Sequence, residues 1–178
     1  MSQQIDPEDF PLLFTETDES WANMTVRFEL GSVPEELISN VVICPRIREE
    51  WVIIRIEDGW SIPGGTLEPD EHYLSALERE LEEEAGAQLR SDFQILGGFR
   101  MDIRTDKPYR PHLPFPVAYR LVGVGEVELT GAPSNPPDGE QVLEVTSFRF
   151  EEAYARLHER EPAIAELYRL AAAVTSQT

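Results

Sequence analysis

The chain has one cysteine, one lysine and no long apolar run. A single thiol cannot close an internal disulfide, and it excludes a cysteine-rich metal site by count alone. Cys44 stands in the run Val41-Val42-Ile43-Cys44, where it reads as a small buried hydrophobe with no chemistry of its own. The longest apolar stretches, around Val41 to Ile43 and Leu121 to Val124, fall far short of the roughly 20 residues a bilayer demands. The first residues, Met1-Ser2-Gln3-Gln4-Ile5-Asp6, carry neither a basic region nor an apolar signal core, so the expected compartment is the cytoplasm. Positive charge is scarce as well: 15 Lys and Arg stand against 34 Asp and Glu, a net charge of -19. Such a chain repels polyanions, so nucleic acid is not an expected partner, and neither is a membrane. Because Lys107 is the only lysine, cationic contacts to a ligand fall to guanidinium groups, which grip phosphate in bidentate fashion.

What is present fits one soluble domain. A length of 178 residues allows a substantial core, and 41% hydrophobic with 28% charged residues is an ordinary globular balance. Residues 1–38 read as an N-terminal segment of that domain, irregular to about residue 23 and then a strand from Met24 to Leu30. Residues 39–178 read as its main body. Within it, Asn40 to Cys44 and Trp51 to Ile56 form a hairpin around the charged turn Arg46-Ile47-Arg48-Glu49-Glu50. Strands follow at Phe93 to Arg104, Val117 to Leu129 and Val142 to Phe150, and two helical pieces, Glu151 to His158 and Ala163 to Val174, break at Pro162. The alternation of strands and helices predicts an α/β fold with a mixed sheet.

The strongest helix is predicted from Asp70 or Glu71 to Glu84, with Asp70 as N-cap and Gly86 as left-handed stop. At about 100° per residue, Leu74, Leu77, Leu81 and Ala85 span an arc of about 80°, the core face. Glu83 and Glu84 fall about 60° and 40° to either side of Glu80, so three carboxylates share one stripe. Charge runs are usually solvated faces. Here, however, Glu78 with Glu82 and Glu80 with Glu84 repel at i,i+4, at about 0.2–0.5 kcal/mol per pair, and the last-turn acids oppose the helix dipole. Arg79 is the only base in the helix. A divalent cation with a preference for oxygen ligands relieves this repulsion better than one guanidinium can.

Gly65, five residues, Glu71, seven residues, then Arg79-Glu80-Leu81-Glu82-Glu83-Glu84-Ala85-Gly86-Ala87 closely resembles the Nudix box. Seven fixed letters match in register, a coincidence on the order of 10⁻⁷ at any given start. Ala87 departs from the pattern, since the family usually carries a bulkier aliphatic residue there. Trp60-Ser61-Ile62-Pro63-Gly64-Gly65 resembles the loop that enters the box, and a weaker likeness of strand order runs over about 39 to 160.

The resemblance implies an α/β/α sandwich with a mixed β-sheet and hydrolysis of a nucleoside diphosphate linked to another moiety. It implies that Glu80, Glu83 and Glu84 ligate Mg²⁺ or Mn²⁺, with the Gly65 carbonyl as a further ligand. It also implies that Arg79 positions Glu80 or Glu83 and that Glu71 supports from the helix start. The general base stays open among Glu80 and the late acids Glu140 and Glu144; Glu144 stands before the aromatic Phe148 much as a late acid does in relatives, and is otherwise a surface charge. Arg46, Arg55 and Arg104 are candidate phosphate grips. His112, in the Pro-rich loop after Arg104, borders the substrate without acting on it. The expected partner is a small nucleotide-type substrate, and a homodimer is left open. Two alternatives share the fold: a regulatory module that binds nucleotides without hydrolysis, and an isoprenyl diphosphate isomerase. All the box acids are present against the first, and no suitably placed cysteine supports the second. Asp102, and Arg104 with Thr105, stand where subfamily signatures would fall, so the substrate stays open among ADP-ribose, nucleoside triphosphates, dinucleoside polyphosphates and nucleotide sugars.

Overall fold

Alternation of apolar residues along two strands sets the architecture, because each strand must bury both of its faces. In the computed structural model, which describes residues 5–176, β3 (Ile38–Ile47) and β4 (Glu50–Ile56) form the predicted hairpin. The strands run further than the sequence suggested, leaving only Arg48 and Glu49 as the loop, with Arg48 at φ 57°. Val41, Ile43, Val52 and Ile54 face one side and Val42, Cys44, Trp51 and Ile53 the other.

Around the hairpin the sheet adds β1 (Thr17–Glu19), β2 (Met24–Leu30), β8 (Gln94–Ile103), β9 (Val117–Leu129) and β10 (Glu144–Phe148), in the order β1-β2-β8-β9-β3-β4-β10. Short strands β5 (Gly59–Ser61), β6 (Gly64–Thr66) and β7 (Ala87–Leu89) pair off that path with β4, β3 and β9. The β3–β9 pairing is parallel and its neighbours are antiparallel, so the sheet is mixed. A parallel pair needs a long crossover, and that crossover carries the box helix.

The box helix, α2 (Tyr73–Glu80), continues as a π-helical turn over Leu81–Ala85. Leu77, Leu81 and Ala85 pack on the Val41/Ile43/Val52/Ile54 face, and each leucine buried there contributes about 1.5–3 kcal/mol. Leu74 is exposed, contrary to expectation. The helix starts later than predicted: His72 is the N-cap, its Nδ1 accepting from the Leu74 N–H at 3.2 Å. Asp70 lies outside, at φ 60° in the loop. α3 (Phe150–Arg160) and α4 (Pro162–Thr175) cover the opposite face, with Pro162 at the first position of α4. The result is an α/β/α sandwich.

The N-terminal segment is more ordered than its sequence suggests. A short α1 (Pro11–Phe14) inserts Leu13 into the α4 side of the core beside Phe10, and the buried Glu166 carboxylate accepts the Leu13 N–H at 2.8 Å. No described helix is long and apolar enough to cross a membrane.

Candidate active site

The loop before α2 and the helix itself are built against each other. β6 pairs with Asn40 to Val42 of β3, which lays Gly64 to Thr66 along the sheet beside the helix. Glu80 points back at this loop, and a Cβ on Gly65 would stand 2.1 Å from its carboxylate oxygen. A side chain there would displace the Glu80 carboxylate from its place against the loop. The Glu84 carboxylate accepts the Gly64 N–H at 2.9 Å.

Arg79 is the hub of the cluster. It donates to both oxygens of Glu71 (2.9 and 3.0 Å), to Glu80 (2.7 Å), to Glu83 (3.2 Å) and to the Thr66 carbonyl (3.1 Å). One cation therefore serves three carboxylates, and none of its hydrogen bonds reaches Glu84. The Arg79 bonds hold Glu71 below the usual carboxylate range and Arg79 above its ordinary value. Burial, opposed by Arg79, pushes Glu80 up. Burial also pushes Glu84 up to about 8, against the Gly64 bond, and the charges of Glu80, Glu140 and Glu83 add to the effect. The π turn winds more loosely than an α-helix, which draws Glu84 back toward the line of Glu80.

Among the described residues no three Asp, Glu, His or Cys side chains are gathered as a ready cation cage, since Arg79 and Gly64 engage the carboxylates instead. The donor set nevertheless fits a hard cation: oxygen ligands, partly desolvated, with more negative charge than one guanidinium balances.

The end of the helix fixes a late loop. Gly86 takes the left-handed cap at φ 56°, as predicted, and a Cβ there would stand 2.3 Å from the Gly131 carbonyl. Its carbonyl accepts from Thr130 N and Gly131 N, while Asn135 N donates to the Glu83 carbonyl. Asn135 also exchanges two hydrogen bonds with Val142, at 2.9 and 2.8 Å. Glu140 lies between these anchors. Glu144 is on the edge strand β10 opposite Arg55, which binds it at 3.0 Å and holds its carboxyl below the ordinary range, with Thr146 assisting.

The arginines named as phosphate grips do not converge. Arg46 stacks on Trp51 at the hairpin end of β3, about 13 Å along the strand from the residues that pair with the loop. Arg55 is occupied by Glu144, and Arg104 by Asp18 and Asn23. The Pro-rich loop does reach the box, because His112 Nε2 lies 2.9 Å from the Leu67 carbonyl and Arg110 pairs with Glu68 at 3.2 Å. Trp51 and Trp60 are aromatic packing, against Phe150 with Tyr168 and against Phe148 respectively.

Sequence reasoning missed Arg120. It lines a cavity of about 660 Å³ that also touches Asn40 and Thr66, and no pattern in the strand Val117–Leu129 distinguishes an arginine in a cavity from one in solvent.

The fold is similar to those of known proteins. A variant of the Bacillus subtilis pyrophosphohydrolase BsRppH superposes with TM-score 0.63 at 18% identity, over 92% of this chain and 98% of that one. An ADP compounds hydrolase gives 0.52 at 16% identity over 78% and 73%. A NUDIX hydrolase from Nitrosomonas europaea gives 0.50 at 18% over 76% and 88%. Identities this low establish likeness of fold alone. No curated protein matches the sequence. The NUDIX domain profile matches residues 39–171, a span that holds the loop, the box helix, the late loop and most of α4, and the chain therefore belongs to the Nudix family of hydrolases.

Proposed function

We propose that this protein hydrolyses a phosphoanhydride bond in a nucleoside diphosphate linked to another moiety, with Glu80, Glu83 and Glu84 holding Mg²⁺ or Mn²⁺. The observation that carries the reading is the charge imbalance around Arg79, which leaves Glu84 half-buried and, among the described residues, without a cationic partner. When bound, such an ion neutralises diphosphate oxygens and lowers the pKa of a water.

The protein's own groups do the rest. Glu71 holds Arg79 by two hydrogen bonds, and Arg79 orients Glu80 and Glu83. Glu80, Glu83 and Glu84 would hold the ion through their carboxylate oxygens, with Arg79 keeping Glu80 and Glu83 in place beside it. The attacking water needs a base. Glu140 is the late-loop acid whose charge reaches Glu84, whereas Glu144 is engaged by Arg55. Glu140 is therefore the better reading of the base.

The isomerase alternative is disfavoured because Cys44 is fully buried, with its thiol pushed well up by desolvation. The test is to incubate the purified protein with ADP-ribose, nucleoside triphosphates, dinucleoside polyphosphates and nucleotide sugars, with Mg²⁺ and with Mn²⁺, and to quantify nucleotide products. Turnover of at least one compound that stops on chelation is expected. No turnover of any compound with either metal overturns the reading.

A further inference from the structure

The cavity beside the loop contains a group that the box does not use. It lies among the N-terminal ends of β3 and β9, the end of β8, and the Pro-rich loop, and its wall includes Met24, Met101, Ile103, Ala118 and Leu113. Thr66 belongs to that wall too. Its carbonyl accepts from Arg79, and its neighbour Gly65 lies against Glu80, so cavity and acids share one partition.

Polar groups in this wall are mostly engaged. Asn40 donates to Thr66 Oγ1 at 2.8 Å and accepts from Ser39 Oγ at 2.7 Å. Arg120 is different: it is mostly buried, and its side chain makes no hydrogen bond or ion pair among the described residues. Burial pushes the Arg120 pKa down, opposed by the charge of Glu161. A guanidinium with no acceptor in the described protein leaves its donors to solvent or to a ligand. Around the same cavity stand two aromatic side chains, Trp21 and Tyr109, 84% and 83% exposed. The Trp21 indole is held in place by a 2.8 Å hydrogen bond to Glu19.

We infer that this cavity is the base-binding pocket and that Arg120 is its specificity-determining residue, taking a planar base that stacks on Trp21 or Tyr109 and turns a two-acceptor edge to the guanidinium. The term substrate pocket rests on the hydrolase reading, but the binding itself does not. Guanidinium donates and cannot accept. Guanine offers the matching edge as O6 with N7, and cytosine a smaller one as N3 with O2, whereas adenine places its N6 donor beside N7. The pocket therefore selects against adenine, and the larger ring of guanine stacks better than that of cytosine. Stacking supplies base-independent affinity, and Arg120 supplies the choice.

The experiment uses metal-free protein in EDTA, so that binding is read without hydrolysis. Guanosine, GMP, AMP, CMP and ribose 5-phosphate are titrated by calorimetry and by tryptophan fluorescence, with Trp21→Phe identifying the indole that responds. GMP is expected to bind about tenfold to a hundredfold tighter than AMP. Arg120→Met is expected to abolish that preference while leaving weak binding of both. Arg120→Lys keeps the charge but loses the paired donors, and it is expected to lose most of the preference as well. Should Arg120→Met fold poorly, Tyr109→Ala at the exposed rim is expected to weaken GMP and AMP alike, by about tenfold or more. Equal affinity for GMP and AMP in the wild type overturns the inference. So does ribose 5-phosphate binding as tightly as GMP and depending equally on Arg120, which makes the residue a phosphate grip. If guanine preference holds but no panel compound is hydrolysed, only the hydrolase reading falls. If hydrolysis occurs without guanine preference, only this inference does.

Discussion

Glu78 and Glu82 share a helix and a side-chain type with Glu80, Glu83 and Glu84, yet the two sets lie in different surroundings. Glu78 and Glu82 are exposed, so water screens them. The other three turn toward the Gly64–Thr66 loop, where Glu80 is buried against Gly65 and Glu84 rests on a backbone N–H. The difference teaches that an acidic run is not one feature. Its solvated members cost little and do little, while the inward members accumulate charge that the fold alone leaves under-compensated.

The sharpest way to break this comparison is to neutralise each set. Glu83→Gln and Glu84→Gln are each expected to lower turnover by at least about two orders of magnitude, because each removes a proposed cation ligand. Glu78→Gln and Glu82→Gln are expected to stay within about twofold of wild type. Comparable losses in both sets, measured as initial rates on the best panel compound, would dissolve the distinction. Glu140→Gln is expected to cost about a hundredfold if it is the base, and Glu144→Gln, which only breaks an exposed ion pair, should cost far less.

A second prediction sharpens the comparison through pH. The Glu84 pKa is raised to about 8 in the folded protein, above its ordinary value of 4.5. Between those values the native state keeps a proton that the unfolded chain releases, so this group's contribution to stability is present at low pH and is lost as pH rises through about 8. Metal-free wild type is thus expected to melt progressively lower from pH 5 to 8 relative to Glu84→Gln. Metal must displace the same proton, so Mg²⁺ affinity should rise by up to about tenfold per pH unit until near pH 8 and then level off. A pH-independent affinity measured by calorimetry would remove Glu84 from the site.

The smallest expected effect is thermal. At a hundredfold excess over Kd, a ligand of the native state adds about 2.7 kcal/mol, which for a domain of this size raises Tm by roughly 5 to 11 °C. NaCl at matched ionic strength controls for screening of the net charge. The Glu83→Gln/Glu84→Gln double variant is expected to lose the Mg²⁺-specific part of the rise. Equal gains in both proteins would show that Mg²⁺ acts on the whole surface and not on the inward acids.

Much of this molecule was legible in the sequence, for identifiable reasons. The offset apolar sets of Val41 with Ile43 and Val42 with Cys44 announced a sheet covered on both faces. The spacing from Gly65 to Ala87 announced the acids, and Gly86 announced the stop. Asp70 misled because it has cap chemistry, yet the Glu68 N–H bonds Glu71 instead and the chain turns through Asp70 at positive φ before His72 caps the helix. The later start leaves Leu74 in the first turn and exposed to solvent. Phe10 and Leu13 follow no period because their segment contributes isolated anchors to the core, and one of its partners, Glu166, is more than 150 residues away in sequence. Arg120 was invisible because its meaning comes from Trp21, Thr66 and Tyr109, which meet only in three dimensions.

The mooring of the late loop has a consequence for traffic. Gly86 binds the loop at Thr130 and Gly131, Glu83 binds it at Asn135, and Asn135 closes it onto Val142. A loop pinned at both ends and in its middle is a fixed parapet, not a door. Opening on that side would break these bonds together with the helix cap, so a ligand of the proposed pocket would have its open approach along the Thr66 side, past the rim that holds Trp21 and Tyr109.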